Sequence, residues 1–299
     1  MSFRGKEEPR REPGGTDPAR AEPRRDSPSR APLLLLVTAL LLALLTVSAL
    51  FLWRSLGDNL SGTSIARDSV DSGPEPHVRV TNGAGKVRVE GVERLDAVEY
   101  EVKRYALAPD PVAAKRRASE VPVDLSREGS TIVLQTDGGR GTGADYDLRV
   151  PAGAAVEVES GAGDVEVTGL SSDVKVVAEA GDVTVQGAGS DVTVEAPQGD
   201  VAVNDVSTET GQVELEVGSG DVMLRDLIVG TLEANVQSGD VTLSGRFSGS
   251  GRIFVQTGGI SANLPPEDTR ELTLETRVGE VVRETPTENQ GRPENREGS

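Results

Sequence analysis

The chain has 299 residues, a formal net charge of −18 and no cysteine. The acidic charge argues against a nucleic-acid-binding protein, because such proteins need clustered Lys and Arg to neutralise phosphates. The lack of cysteine excludes disulfides, thiolate metal sites and a cysteine nucleophile.

The first part of the chain predicts a cytoplasmic tail followed by a membrane-spanning helix. Residues 1–30 are rich in Pro, Arg and Glu and cannot form a core, so we expect a disordered tail. Residues 31–53, APLLLLVTALLLALLTVSALFLW, carry no charge, and a helix needs about 20 such residues to cross a bilayer. Arg24, Arg25 and Arg30 precede this run, so the positive-inside bias places the C-terminal part outside the cell. A buried core helix and a long signal peptide are the alternatives.

The remaining chain divides into a linker, an organised domain and a second tail. Residues 54–76, RSLGDNLSGTSIARDSVDSGPEP, are typical of a flexible stalk. Residues 285–299 are polar and predict a disordered tail, which leaves 77–284 as the folded domain.

The domain opens with two segments of alternating hydrophobicity, HVRVTNGAGKVRVEGV and AVEYEVKRYAL, which predict half-buried strands. Asp110 can cap a helix and Pro111 fits its first position, so a short helix is expected over about 111–119. Strands resume with TIVLQ and YDLRVP.

From residue 156 onward a short phrase recurs along the chain. Gly-Asp-Val begins at residues 163, 181, 199, 220 and 239, in steps of 18, 18, 21 and 19. A fixed period near 20 is typical of stacked repeats that bury one another. We therefore expect an all-β, β-helix-like solenoid of 18–21-residue coils with a column of Val-x-Val pairs as its core. The competing interpretation is an antiparallel sandwich, which short, regularly spaced strands also suggest.

Five aspartates follow the turn glycines of this repeat: Asp164, Asp182, Asp200, Asp221 and Asp240. One interpretation is turn chemistry, in which Gly allows a positive φ and Asp accepts hydrogen bonds from nearby amides. The other is a ladder of cation sites, because stacked carboxylates repel each other and calcium prefers such oxygens. The unit GAGDVEVTG lacks the double glycine of the calcium-binding nonapeptide, and Gly259 replaces Asp in a later copy. Turn chemistry is therefore favoured, and no metal or cofactor is expected.

The sequence favours a protein without enzyme activity. His77 is the only histidine and begins the first strand of the domain, where it has no Cys partner and forms no Ser-His-Asp grouping. The glycine-rich stretches 83–87 and 138–143 do not have phosphate-loop spacing. We therefore assign no catalytic or cofactor-binding residue.

One dense basic patch stands out, formed by Lys115, Arg116 and Arg117 on the predicted helix. It is either a solvated helix face that covers the end of the solenoid or a contact for an anionic surface.

The order of segments resembles a known family. The phrase YDLRVPAGAAVEVESGAGDVEVTGL at 146–170, followed by repeated SGDV, is similar to bacterial putative adhesins with β-strand repeats, a domain of unknown function. HVRVTNGAGKVRVEG and YEVKRYA resemble that family's first strands, and the resemblance covers about 77–284. It implies a β-solenoid-like domain in membrane-anchored or exported proteins, with no enzyme activity and no established binding residues.

Two functions are consistent with these features. The first is a membrane-anchored extracellular module that binds a cell-surface or wall ligand, as the stalk, the repeat domain and the resemblance suggest. The second is a structural or sensory cell-envelope protein that works through self-association or a membrane partner. The short cytoplasmic tail and the lack of an evident ligand row on the strands favour this second function. No nucleic acid partner is expected.

Overall fold

The structure, a computed structural model, describes residues 62–73, 75–265 and 272–284. The described residues all belong to one compact unit. The tails predicted at 1–30 and 285–299 and the membrane helix predicted at 31–53 lie outside the described residues. Within the described part, no helix is long and apolar enough to span a bilayer.

The elements follow the chain as strands interrupted by one helix. In order they are β1 (Gly62–Asp71), β2 (His77–Asn82), β3 (Val87–Val92), β4 (Ala97–Ala106), α1 (Pro111–Glu120), β5 (Asp124–Glu128), β6 (Thr131–Thr136), β7 (Thr142–Pro151), β8 (Ala155–Ser160), β9 (Val165–Thr168), β10 (Val174–Ala178), β11 (Val183–Gln186), β12 (Val192–Gln198), β13 (Val201–Asn204), β14 (Ser207–Ser219), β15 (Val222–Ser238), β16 (Val241–Phe247), β17 (Gly251–Thr257), β18 (Ile260–Asn263), β19 (Leu272–Val278) and β20 (Val281–Glu284).

Most of these strands form a β-solenoid of two parallel ladders. The first ladder runs β6, β2, β8, β10, β12, β14, the end of β15, β17 and β19. The second runs β7, β3, β9, β11, β13, the start of β15, β16, β18 and β20. Parallel pairing throughout both ladders confirms the predicted solenoid and excludes the antiparallel sandwich.

The coils of the solenoid have the predicted length. In the second ladder the first residue of each strand aligns with the first residue of the equivalent strand in the next coil. These residues are, in order, Val165, Val183, Val201, Val222, Val241, Ile260 and Val281. Hydrogen bonds between equivalent turns join positions that are 18, 21 or 19 apart in the sequence. These separations confirm the coil length that the spacing of Gly-Asp-Val predicts.

The core is the predicted column of Val and Leu pairs. Strand β9 shows the pattern, since Val165 and Val167 are buried while Glu166 and Thr168 point outward and are half-buried. The same alternation repeats in β11, β13, β16 and β18. Each fully buried Val or Leu contributes about 1.5–3 kcal/mol by transfer from water, so stacking equivalent coils produces one continuous core.

One coil of the solenoid lies out of chain order. The coil formed by β2 and β3 lies between the coil of β6 and β7 and the coil of β8 and β9. Val87, for example, aligns with Tyr146 on one side and with Val165 on the other. The coil of β2 and β3, which comes first in the sequence, is therefore paired on both sides with strands that come later in the chain.

Antiparallel strands and the helix cover the first end of the solenoid. Strand β4 pairs with β7, β1 pairs with β4, and β5 pairs with β6, all antiparallel. Helix α1 lies against β1 and β4 and buries Ala114 and Ala118. The approach is close, since a Cβ on Gly62 would lie 2.2 Å from the Ala114 carbonyl carbon. This cap ends the parallel ladders with paired strands, as protected sheet edges require.

The helix prediction is confirmed, and the stalk prediction is wrong over part of its length. Asp110 caps α1 by accepting hydrogen bonds from the amides of Val112 and Ala113 at 2.9 and 3.0 Å. Residues 62–71, within the predicted stalk, instead form β1 and pair with β4 along its whole length. The polar composition of residues 54–76 predicted a flexible segment, but β1 is held by backbone hydrogen bonds and by ion pairs such as Arg67 with Glu101 at 2.6 Å. Little apolar burial is involved.

Candidate functional site

The turn glycines form a column in which each contacts the equivalent turn of the preceding coil. Gly163, Gly181 and Gly199 have φ values of 126°, 131° and 130°, which L side chains rarely adopt. A Cβ on Gly181 would lie 2.4 Å from the Gly163 carbonyl oxygen, and one on Gly199 would lie 2.0 Å from the Gly181 oxygen. Glycine is therefore required both by the backbone angle and by the close approach of neighbouring turns.

The five aspartates of the repeat form a second column, which we call the aspartate ladder: Asp164, Asp182, Asp200, Asp221 and Asp240. In each step a carboxylate Oδ1 accepts a hydrogen bond from the turn amide of the next coil. The amide donors are Asp182, Asp200, Asp221, Asp240 and Gly259, at 3.3, 3.0, 2.8, 2.9 and 2.7 Å. Hydrogen bonds to an ionised acceptor are stronger than neutral ones. The ladder therefore has a structural role, although its hydrogen bonds join neighbouring coils, whereas the turn chemistry favoured by the sequence places the donor amides nearby in the chain.

The last step of the ladder explains why Asp can be lost there. Gly259 supplies the amide that the Asp240 carboxylate accepts, and an amide is present in any residue except proline. Among the described residues, no group of three or more His, Asp or Glu side chains is placed to hold a metal ion. The cation ladder stays a prediction that calcium titration tests.

A shallow groove runs beside the aspartate ladder across four coils and has a volume of about 510 Å³. Its walls come from the ladder carboxylates and from the outward residues Thr184, Ala202, Met223 and Thr242. These outward residues share no chemistry, so the groove presents an acidic edge beside a mixed, mostly small surface.

Ion pairs link the outward rows of the first coils. Arg79 in β2 contacts Glu157 in β8 at 2.7 Å, and Lys175 in β10 approaches the same carboxylate at 3.7 Å. In the second ladder Arg88 contacts Glu166 at 2.8 Å. The hydrogen bond from Arg79 lowers the pKa of Glu157 below its ordinary value. The two arginine pairs were not predicted from the sequence because their partners are separated by 78 residues.

The glycine-rich stretches 83–87 and 138–143 serve close packing in the structure. A Cβ on Gly83 would lie 2.2 Å from the amide nitrogen of Gly138, so the two loops touch through their backbones. His77 begins β2 as predicted, and its strand pairs with β6 and β8. The glycine contact therefore serves packing of the two loops, and His77 lies at the start of a paired strand.

The predicted basic patch on α1 divides between two roles. Arg117 donates from Nη1 to the carbonyl oxygen of Leu107 at 3.1 Å, which ties the helix to the segment before it. Lys115 and Arg116 instead line a groove of about 940 Å³ between α1 and β1. The groove also contains Ile65 and Val112, which are 54% and 80% exposed and were not singled out from the sequence.

Solved structures similar to this chain include two that are described as putative adhesins. One, from Bacteroides fragilis NCTC 9343, gives a TM-score of 0.51 at 14% identity, covering 74% of this chain and 97% of that chain. Another, from Parabacteroides distasonis ATCC 8503, gives a TM-score of 0.35 at 14% identity, covering 74% of this chain and 97% of its own. At such identity the first likeness supports the fold alone.

A comparison of the sequence with family profiles identifies the family of this chain. No curated protein matches it. The profile of the family described as Toastrack DUF4097 matches residues 78–299, which include the solenoid and most of its cap. The family resemblance seen in the repeat and in the opening strands is confirmed. This chain belongs to the Toastrack DUF4097 family.

Proposed function

We propose that this chain is a membrane-anchored extracellular protein whose solenoid binds a ligand of the cell surface or wall. The observation that carries the proposal is the flank of the solenoid, where equivalent positions of successive coils lie side by side. One such row is Glu166, Thr184, Ala202, Met223 and Thr242. Its side chains differ from coil to coil, so the support comes from the aligned geometry and not from one repeated residue type. Solenoid proteins use extended repeated surfaces of this kind for binding. The description of the Bacteroides fragilis structure as a putative adhesin agrees with this function.

The anchoring part of the proposal rests on the sequence. Residues 31–53 carry no charge and are long enough to cross a bilayer, and Arg24, Arg25 and Arg30 precede them. An orientation with the N-terminus in the cytoplasm follows from that bias. Protease treatment of intact cells tests it, because the solenoid should be digested while the N-terminal tail is protected.

We further propose that the solenoid works without catalysis. The grooves on the described residues lie open along strand edges and coil flanks, beside the aspartate ladder and between α1 and β1. Enzymes and small-molecule sites favour enclosed concave pockets with convergent polar groups. Open flanks suit a partner that lies along the surface.

Co-sedimentation with isolated cell envelopes tests the binding function. Residues 54–299 are the appropriate fragment, because the compact unit within them includes β1, whereas a fragment starting at residue 77 would lack that strand. We expect saturable pelleting that persists at high salt, since a specific receptor contact does not depend on screened long-range charge. A fragment that stays in solution at every protein concentration would contradict the proposal.

A structural or sensory role through self-association is the second candidate, and one observation favours it. Among the described residues, β19 and β20 pair with the preceding coil on one side only. Val278 in this coil is 59% exposed. Unpaired strand edges readily add another strand. Light scattering over a range of concentrations tests this candidate, and a mass that stays monomeric throughout would count against it.

A further inference from the structure

The cap of the solenoid carries a surface that combines basic side chains with exposed apolar side chains. Lys115 and Arg116 project from α1 into the groove that α1 forms with β1, and Val112 and Ile65 line the same groove. The chain after residue 30 has 23 basic and 43 acidic residues, a net charge of −20, so this basic pair lies in a strongly acidic chain. We name the set Ile65, Val112, Lys115 and Arg116 the cap patch.

The helix geometry explains why these side chains share one face. Ala114 and Ala118 are buried against the strands, which fixes the opposite face of α1 outward. Val112, Lys115, Arg116 and Ser119 follow the i, i+3, i+4, i+7 spacing of one helical face. Val112 is 80% exposed on that face, and Ile65 is 54% exposed on the facing edge strand. Two large apolar side chains are thus held in solvent beside two cations.

We propose that the cap patch docks on an anionic lipid surface. Interfacial membrane contacts combine apolar side chains that enter the headgroup layer with Lys and Arg that meet lipid phosphates. A hydrophilic wall polymer would use the cations but would leave Val112 and Ile65 in water. A bilayer containing anionic lipid satisfies both halves of the patch at once.

The position of the patch in the chain supports the same occupant. This inference rests on the proposed anchoring by residues 31–53. Only residues 54–61 separate that run from Gly62, the first residue of β1. Eight residues extend at most about 30 Å, and β1 supplies Ile65 to the patch.

The acidic body of the unit does not prevent such docking. The aspartate ladder lies on coils further along the solenoid, and charges separated by more than about 8 Å are largely screened at physiological ionic strength. The carboxylate that faces the patch from its own helix is Glu120, which approaches Arg116 at 3.9 Å. Both groups of this pair are more than half exposed, so the pair leaves the Arg116 charge available.

A tethered fluorescence experiment tests the proposal without using the native anchor. The sequence contains no cysteine, so a Ser119→Cys substitution gives residues 54–299 a single thiol for an environment-sensitive fluorophore beside the patch. A histidine tag before residue 54 attaches the unit to vesicles that contain a nickel-chelating lipid. The vesicles are either phosphatidylcholine alone or phosphatidylcholine with phosphatidylglycerol. Because the tag replaces residues 31–53, the result does not depend on whether that run spans a membrane.

We expect the emission to shift to the blue on the phosphatidylglycerol vesicles and to stay unshifted on phosphatidylcholine alone. Lys115→Glu with Arg116→Glu should lower the docking equilibrium constant by about 30-fold, from about five- to sixfold for each lost cation. The matched control, Arg246→Glu with Arg277→Glu, makes the same change of charge at exposed positions of later coils and should keep the shift. A fluorophore at Ser261→Cys, in β18, should show no shift.

Three results would overturn the proposal. One is no shift on phosphatidylglycerol vesicles, which would leave the groove for a protein or wall partner. Another is an equal shift on both vesicle types, which would exclude recognition of charge. The third is a patch variant that behaves like the control variant while its denaturation midpoint is unchanged. Failure here would leave the envelope co-sedimentation result standing, so the two proposals fail separately.

Discussion

Gly199 offers a direct test of why the repeat keeps glycine at its turn. Its φ is 130°, and a Cβ would lie 2.0 Å from the Gly181 carbonyl oxygen and 2.6 Å from its carbonyl carbon. Gly199→Ala therefore combines an unfavourable backbone angle, which costs about 1–3 kcal/mol, with overpacking of two adjacent coils, which costs about 1–3 kcal/mol more. The expected loss, about 2–6 kcal/mol, is a large share of a typical unfolding free energy of about 5–15 kcal/mol.

Two other glycines separate the cost of the backbone angle from the cost of overpacking. Gly129 has a φ of 66°, but an added Cβ would have nothing within 4 Å, so Gly129→Ala carries the angle cost alone. Gly153 also has nothing within 4 Å, and its φ lies outside the left-handed region, so Gly153→Ala should be close to neutral. Urea denaturation of residues 54–299, followed by far-ultraviolet circular dichroism, gives the three midpoints. A Gly199→Ala midpoint no lower than that of Gly129→Ala would refute the close-packing explanation.

Further predictions concern the ladder, the ion pairs and the cap. Asp200→Ala should destabilise the unit by about 1–2 kcal/mol because the Asp221 amide loses its acceptor, and Asp200→Asn should recover part of this loss in the same denaturation assay. Calcium or EDTA should leave the melting temperature unchanged if the ladder is structural, and a calcium-dependent rise would instead support the cation sites. Arg79 lowers the pKa of Glu157 below its ordinary value of 4.5, so their pair adds stability above that pH and loses it as the pH falls through the lowered value. Arg79→Met should therefore weaken the unit most near pH 7, with the difference from wild type shrinking below about pH 4.5, and an equal difference at pH 3 would contradict this reasoning. Removal of residues 54–76 should lower the midpoint, because β4 would lose its pairing with β1.

The repeat region was predictable because its period specifies both the strand and its neighbour. The recurrence of Gly-Asp-Val at steps of 18, 18, 21 and 19 fixes the coil length, and the in-register alignment of Val165 with Val183 follows from it. The aspartates were predictable for the same reason, because a residue that recurs once per coil must form a column.

The part of the chain before the repeat was much less predictable. Alternation in HVRVTNGAGKVRVEGV shows which side chains face a core but does not identify the neighbouring strands, so the place of β2 and β3 between later coils was not foreseen. Strand β1 was missed because its stability comes from backbone pairing. Exposure of Val112 was missed because only the tertiary packing of Ala114 and Ala118 decides which face of α1 turns outward.

The out-of-order coil has a consequence for how the protein is made. Residues 77–92 leave the ribosome before either of their neighbouring coils exists, and the second neighbour is complete only at Thr168. At about 5–20 residues per second, translation takes roughly 4–15 s to cover that interval. For most of this time the alternating Val-rich segment has no permanent partner, because even its first neighbouring coil is complete only at Pro151. Slow codons or pauses between residues 92 and 168 should therefore lower the yield of soluble protein more than pauses placed beyond residue 168, within the later coils.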